Sequence, residues 1–229
     1  MKKRDYATSL VLICLTWGLI AASPASAQPI FYEPGLTAAV FAQDPLLDLV
    51  KGLESSSGGL YSSTSMGKIC FVSWEGDVVE VADLRPSSQT LGGIAMSPED
   101  TIMVCDSSYQ QPGVSLYEVT PAGTVSLLRN DLSSPSDIHF DENGDLLVVE
   151  RFGIAGVSRV ARDGSWREVV LRAADIGIQD HPTSLELDQE GNLYVAYRVT
   201  GSIYRMSPEG TTSLFATVPS SNIAIDLCF

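Results

Sequence analysis

The sequence predicts an all-β protein, a β-propeller built from four-stranded antiparallel blades. Two series of turns and the alternating strands between them carry this prediction. Successive members of each series are 41 to 47 residues apart. A shared period of about 45 residues, with several short strands in each unit, is typical of propeller blades. One series closes on Gly76, Gly123, Gly164 and Gly210, and the other ends at Gly59, Asp100, Gly144 and Gly191.

Each unit divides into four strands, because apolar and polar residues alternate between glycine-bearing turns. The strands are predicted at 53–54, 60–63, 68–73 and 78–81; at 94–96, 101–105, 114–119 and 125–128; at 137–140, 146–150, 157–160 and 166–171; and at 183–187, 193–197, 202–206 and 212–216. Residues 222–226 start a fifth copy. Six blades need about 270 residues, so we expect a C-terminally incomplete six-bladed propeller with about four blades here. A short open propeller that pairs its edges in an oligomer is the alternative.

The segment before the first blade carries two local signals. Residues 40–45 match residues 214–219, which predicts an outer strand at 37–43 that has lost its own blade. Asp44 as an N-cap and Pro45 in the first turn favour a helix over 44–53. An inter-blade loop is equally compatible with that stretch.

The first 27 residues have the pattern of a signal peptide. A basic start at Lys2, Lys3 and Arg4 precedes an apolar run, and Ala25-Ser26-Ala27 forms a small-residue cleavage site. A transmembrane anchor is the alternative, but the apolar run is shorter than the ~20 residues that cross a bilayer. We therefore expect a signal peptide at 1–27, a propeller domain at 28–229, and a periplasmic or extracellular protein.

Charge and cysteine content restrict the partners and the chemistry. The formal net charge of −14 argues against nucleic acid, and against a membrane partner once the signal peptide is removed, because both favour basic surfaces. It suits cationic partners or Ca²⁺, although solubility alone also explains it. Outside the signal peptide, Cys70, Cys105 and Cys228 lie in apolar strand patterns, which favours buried free thiols over a single disulfide.

Two stretches, 135–151 (PSDIHFDENGDLLVVER) and 182–210 (PTSLELDQEGNLYVAYRVTGSIYRMSPEG), resemble the NHL-repeat propellers and the senescence-marker-protein and gluconolactonase-like propellers. The resemblance implies a six-bladed fold. For the gluconolactonase-like branch it also implies a metal-dependent lactone hydrolase. There a Glu and an Asn/Asp pair hold Ca²⁺ or Zn²⁺, which would polarise the lactone carbonyl and activate water.

The ligand positions of that branch are not matched in this sequence. Ser136 stands where the motif P-N-G-L has Asn, and Thr183 stands where D-G-M has Asp. No E-G-P motif is present in the first blade, and Glu54 comes several residues too late to replace its Glu. No cofactor is therefore firmly implied, and Ca²⁺ or Zn²⁺ are the ions to test.

Several polar residues are candidates for ligand contact. Asp106 and Glu150 end the second strands of their blades, where a carboxylate either binds a ligand or accepts hydrogen bonds from nearby backbone. Asp137 and His139 share one face of an innermost strand, and Glu186 matches His139 one blade later. Since innermost strands line the channel, these three are ligand candidates. His139 is either a general base or a structural histidine.

A metal site is a separate hypothesis. Asp180 and His181 precede an innermost strand in the blade adjacent to that of Asp137 and His139, so the four side chains could share one ion. Two histidines and two aspartates on propeller loops also arise by composition alone.

Taken together, these patterns predict an exported binding or scaffold propeller that recognises a peptide, a glycan or a small ligand at its channel face. No nucleophile stands beside a base in a recognisable motif. The alternative is a metal-dependent, lactonase-like hydrolase, or a lyase of the gluconolactonase or NHL type, that uses Asp137 and His139.

Overall fold

A computed structural model describes residues 41–85, 90–97, 99–108, 114–218 and 227. These residues form sixteen β-strands in four antiparallel sheets of four strands, so the predicted all-β class and the four blades are confirmed. The strands are β1 (Val50–Ser55), β2 (Gly59–Thr64), β3 (Lys68–Ser73), β4 (Val78–Asp83), β5 (Leu91–Met96), β6 (Ile102–Asp106), β7 (Val114–Val119), β8 (Val125–Leu132), β9 (Pro135–Phe140), β10 (Leu146–Glu150), β11 (Gly156–Val160), β12 (Arg167–Arg172), β13 (Pro182–Leu187), β14 (Leu193–Tyr197), β15 (Ser202–Met206) and β16 (Thr212–Thr217).

Each sheet is a blade in which consecutive strands are hydrogen-bonded neighbours. The first strands of the blades, β1, β5, β9 and β13, contact one another in that order. These four are the inner strands. The described part of the predicted fifth copy is Leu227 alone, and the predicted signal peptide lies outside the described residues.

The turns that join the third strand of each blade to the fourth have the backbone that the sequence predicts. Gly76, Gly123, Gly164 and Gly210 have φ of 92°, 82°, 73° and 85°. Each donates its N–H to the carbonyl three residues earlier, for example from Gly76 to Ser73 at 2.9 Å. Glycine is the residue that reaches this left-handed region without a steric penalty, which explains why it recurs once in each blade.

The core lies between neighbouring blades. Ile69 and Leu84 of the first blade pack with Ile102 and Val104 of the second, and similar clusters join the second blade to the third and the third to the fourth. A propeller blade with a neighbour on each side is buried on both faces, so strands β6 and β10 of the second and third blades are buried at every position. These buried sheets hold the inner strands side by side.

The segment before β1 differs from its prediction. The part of the predicted strand 37–43 that the structure describes, residues 41–43, is not a strand. Asp44 does cap a helix and accepts a hydrogen bond from the Leu46 N–H at 2.8 Å, but this is a 3-10 helix, Pro45–Leu47. Leu47 is fully buried against Cys70 and Val72, so the segment covers the first blade.

Two further predictions concern cysteines and membrane spans. Cys70 and Cys105 are free and buried, as predicted, and Cys228 lies outside the described residues. A second 3-10 helix spans Ala173–Ile176. In the described part of the chain, no helix has the length and hydropathy needed to span a membrane.

Candidate functional site

All four inner strands contain a β-bulge at the same point of their pairing with the second strand. In β1, Val50 and Gly52 pair with consecutive residues of β2, so Lys51 is the extra residue. The extra residues in β9 and β13 are Ser136 and Thr183, and in β5 the pair Gly92-Gly93 stands opposite one residue of β6. Bulges redirect side chains, so the four blades present one ring of redirected positions.

Beyond the bulge, three polar side chains occupy one equivalent position in different blades. Glu54 pairs with Tyr61, His139 with Leu147, and Glu186 with Tyr194. All three line a cavity of about 240 Å³, the inner-strand cavity, to which β1, β5, β9 and β13 all contribute. The predicted equivalence of His139 and Glu186 is therefore confirmed, and Glu54 joins them.

His139 and Glu186 form an ion pair between the third and fourth blades. The His139 Nε2 atom lies 3.0 Å from Glu186 Oε1, and the histidine side chain is 41% exposed. The hydrogen bond from Glu186 raises the pKa of His139, in spite of the opposing effect of burial. The other ring nitrogen, Nδ1, lies 2.6 Å from the Phe140 carbonyl oxygen.

The two partners of His139 determine its protonation. A carboxylate and a carbonyl are both acceptors, so these contacts favour the imidazolium, which has an N–H group on each ring nitrogen. Neither nitrogen is then left with a lone pair to remove a proton from a substrate. The geometry favours a positively charged structural histidine over the general base that the sequence also allowed.

Glu54 was not among the sequence-predicted site residues, yet it lines the inner-strand cavity. Burial raises the pKa of its carboxyl, His139 opposes that shift, and Glu186 adds to it. The side chain is half-buried, and among the described residues it has no hydrogen-bond or ion-pair partner. The signal that could have found it is its register, which matches that of His139 and Glu186.

Asp137 lines the same cavity and joins the third blade to the fourth. Its Oδ1 accepts the Ile138 N–H and its Oδ2 accepts the Leu185 N–H, both at 3.0 Å. A Cβ on Gly93 would lie 2.3 Å from Asp137 Oδ1, so the neighbouring blade can approach only because that residue is glycine. Asp137 is thus a bridge between blades at the edge of the cavity.

The arrangement of blades matches solved propellers. Virginiamycin B lyase from Staphylococcus aureus aligns with a TM-score of 0.59 and 17% identity over 75% of this chain and 56% of that one. A protein assigned as a gluconolactonase gives 0.62 and 18% over 74% and 63%. Regucalcin from Agrobacterium tumefaciens, a calcium-binding protein, gives 0.62 and 19% over 75% and 61%.

The chain shares the β-propeller fold of these proteins. It spans 56 to 63% of the length of these three proteins, and at such identities the likeness shows the fold alone. No family model matches the sequence, and no curated protein matches it either.

The redirected positions at the four bulges, here called the bulge ring, hold Lys51, Gly92, Gly93, Ser136 and Thr183. The resemblance places metal ligands at two of them, Ser136 and Thr183, and both carry a hydroxyl instead of an amide or a carboxylate. Both hydroxyls donate to main-chain oxygens: Ser136 to Thr183 at 3.1 Å and Thr183 to Ala196 at 3.3 Å. Divalent Ca²⁺ requires several oxygen ligands, usually including carboxylates, so this ring does not fit a divalent metal.

The four metal candidates, Asp137, His139, Asp180 and His181, form two separate pairs. His181 precedes β13 and contacts the third blade, with Nδ1 2.9 Å from the Arg151 carbonyl and its ring against Phe152. It stands five residues before Glu186, the equivalent of His139, a separation of about 16 Å along a strand. In the described residues, no three His, Cys, Asp or Glu side chains are placed to hold a metal ion.

The Asp180 carboxylate is hydrogen-bonded to residues of its own blade. Its two oxygens accept the N–H groups of His181, Val199 and Thr200 at 2.6 to 3.0 Å, and the Thr200 hydroxyl at 2.9 Å. Burial opposes ionisation, but these hydrogen bonds outweigh it and hold the pKa of Asp180 below its ordinary value. Asp180 therefore orders the turn between β14 and β15.

Asp106 and Glu150 accept hydrogen bonds from nearby backbone, which is the structural alternative that the sequence left open for them. Asp106 is buried and accepts the Ser108 N–H at 2.9 Å. Glu150 is fully buried, accepts the Ser133 N–H at 2.7 Å and the Ser158 hydroxyl at 2.5 Å, and pairs with Arg167. Neither lines the inner-strand cavity.

A larger cavity of about 350 Å³ lies at the hairpin turns of the third and fourth blades. Its aspartates cap those turns. Asp141 accepts the N–H groups of Asn143 and Asp145, and Asp188 accepts the N–H and side-chain amide of Asn192. Because their oxygens already stabilise the turns, this cavity is a weaker candidate than the inner-strand cavity.

Proposed function

We propose that this propeller is a binding module that takes a small polar molecule in the inner-strand cavity. The observation that supports it is the meeting of Glu54, His139 and Glu186, from three different blades, on one cavity. A cavity of about 240 Å³ suits a small molecule better than a peptide or a glycan, since typical ligand pockets begin at about 300 Å³.

Binding is favoured over catalysis by the state of the polar groups. A hydrolase or lyase needs a group that gains or loses a proton during the reaction. His139 has acceptors at both nitrogens, and the bulge ring lacks the carboxylates that would hold a metal. The lactonase-like or lyase alternative is supported by the fold only.

The test is a screen by ligand-observed NMR with small cationic, anionic and neutral polar fragments. Leu53 lines the cavity and its side chain is 39% exposed, so Leu53→Trp should fill the cavity without disturbing the core. Leu127→Trp, at a 55% exposed site outside the cavity, is the matched control. We expect fragments whose signal is lost in Leu53→Trp and kept in Leu127→Trp. If no fragment of any class behaves in this way, the binding function is refuted.

A parallel series of thermal melts decides the enzymatic alternative. Ca²⁺, Zn²⁺, Mn²⁺ and a chelator are added to the chain, and a specific ion at about 100 times its dissociation constant stabilises by about 2.7 kcal/mol. We expect no such shift. A clear shift would instead require a metal site and would justify a screen for lactone hydrolysis.

Export is a separate proposal and rests on the sequence alone. The basic start, the apolar run and Ala25-Ser26-Ala27 support cleavage before Gln28. Expression with the native N-terminus, followed by N-terminal sequencing of the secreted or periplasmic fraction, should find a chain that begins at Gln28. Full-length protein retained in the cytoplasm would contradict export.

A further inference from the structure

Three acidic side chains, Glu54, Asp137 and Glu186, and two basic ones, Lys51 and His139, line the inner-strand cavity, so its charges do not balance. The imidazolium of His139 neutralises Glu186 through their 3.0 Å contact, and Asp137 uses its oxygens to accept two backbone N–H groups. Glu54 is left as a half-buried carboxylate with no hydrogen-bond or ion-pair partner in the described part of the chain. A buried or half-buried charge without a partner is costly, so its presence in a cavity points to a missing positive partner.

Two further acceptors on the fourth blade are also unused. Glu186 Oε1 lies against His139 and accepts the Leu187 N–H, which leaves Oε2 without a hydrogen-bond or ion-pair partner among the described residues. Ser184 lines the same cavity, is 1% exposed, and its hydroxyl has no hydrogen-bond partner among the residues that the structure describes. Native structures leave few buried polar groups unsatisfied, and this one stands two residues from Glu186 on the same strand.

We propose that the inner-strand cavity binds the ammonium group of a small organic cation, with the Glu54 carboxylate as its counter-ion and Glu186 Oε2 and the Ser184 hydroxyl as further acceptors. The inference rests on the proposed binding function and specifies its ligand. An ammonium group has three N–H donors and no acceptor, which suits a cavity with surplus acceptors. The net charge of −14 adds long-range attraction for a cation.

An organic cation fits better than a bare metal ion. The described residues contain no set of three His, Cys, Asp or Glu side chains close enough to coordinate one ion. An ammonium group needs only hydrogen-bond contacts, and its organic part can occupy the rest of the 240 Å³. A serine hydroxyl is also an ordinary partner for an N–H donor, whereas it is a weak ligand for a divalent metal.

The position of Lys51 predicts how the ligand is oriented in the cavity. It lies on the bulge side of the same cavity, three residues before Glu54 and so about 10 Å away along the strand. Its own positive charge disfavours a second cation at that side. The ligand should therefore be a monoammonium compound whose neutral or anionic part faces Lys51.

The test compares benzylammonium, benzyl alcohol and benzoate, which share a ring and differ in charge, in NMR titrations of the full chain. Glu54→Gln removes the charge and keeps the shape of the side chain. Glu75→Gln makes the same change at an exposed turn of the same blade, and is the matched control. We expect benzylammonium to bind best, to bind about tenfold more weakly to Glu54→Gln, and to bind equally well to Glu75→Gln and the wild type.

Each outcome decides the inference. No benzylammonium binding, equal binding of benzyl alcohol, or undiminished binding to Glu54→Gln would overturn it. If benzoate or benzyl alcohol binds instead and Leu53→Trp abolishes that binding, the proposed function survives while its cationic ligand is refuted. Thermal melts of both variants show whether they are folded, so that loss of binding is not mistaken for unfolding.

Discussion

Glu150 and Glu54 are two glutamates near the ends of strands, one in the third blade and one in the first, and their surroundings are opposite. Glu150 is fully buried and its oxygens accept from Ser133 and Ser158 and pair with Arg167. Glu54 is half-buried, lines a cavity, and has no such partner among the described residues. A carboxylate whose acceptors are all used holds the framework together, whereas one whose acceptors are unused is available to a ligand.

The largest effect is expected at Glu150. Glu150→Gln removes the charge that faces Arg167 and leaves a cation beside a buried site without its partner. Breaking a buried ion pair in this way costs about 3 kcal/mol of the free energy of unfolding. Urea or guanidinium denaturation of the full chain measures it.

The same substitution at Glu54 makes the comparison quantitative. Burial raises the pKa of Glu54, which means that the folded protein disfavours its charged form. Glu54→Gln should leave the free energy of unfolding at pH 7 unchanged or slightly higher. Equal destabilisation by the two substitutions would show that both glutamates are framework residues.

A second, smaller effect is expected where the inner strands approach each other. In Gly93→Ala the new Cβ would lie 2.3 Å from Asp137 Oδ1 and 2.6 Å from its Cα. Separating the second and third blades to relieve this contact should cost roughly 2 kcal/mol. Denaturation measures it, and Gly58→Ala, where the nearest atom is 3.5 Å away, is the control. A Gly93→Ala variant as stable as Gly58→Ala would mean that the blades can move apart freely.

The sequence predicted the second and third strands of the blades better than the first strands. Strands 146–150 and 202–206 match β10 and β15 residue for residue, because each is a short run rich in apolar, β-branched or aromatic residues between turn residues. The inner strands were predicted too short, at 53–54, 94–96 and 137–140. Each contains a bulge, and the extra residue breaks the alternation on which the prediction depends.

The same bulges explain why the sequence did not identify Glu54 as a site residue. His139 and Glu186 were matched because their blades have clear second strands and turns. Glu54 lay in a strand predicted as two residues long, so its register could not be read. Whether Asp180, His181, Asp137 and His139 can share one ion depends on where each lies along the inner strand, and only three-dimensional pairing shows that.

The smallest effect concerns the ion pair between His139 and Glu186 in the cavity, and its sign follows from the pKa of His139. The contact with Glu186 raises that pKa in the folded state above the ordinary value of 6.5. The stabilisation is therefore fully present below about pH 6.5 and is lost as the pH rises through the folded pKa. Lys51, Glu54 and Asp137 also line the cavity and contribute to the local field. Because the histidine is 41% exposed, screening should keep the effect below about 1 kcal/mol.

Denaturation at a series of pH values from 5.5 to about 9 measures this effect against His139→Gln and Glu186→Gln. We expect the wild type to be more stable than His139→Gln at low pH, and the difference to shrink as the pH rises. Glu186→Gln should remove the same pH dependence, and the double variant should remove no more than either single one, because both lose one shared contact. His181→Gln, at the histidine that contacts the Arg151 carbonyl, should retain the wild-type trend. A pH trend that persists in His139→Gln would mean that another titratable group, and not the contact between His139 and Glu186, causes it.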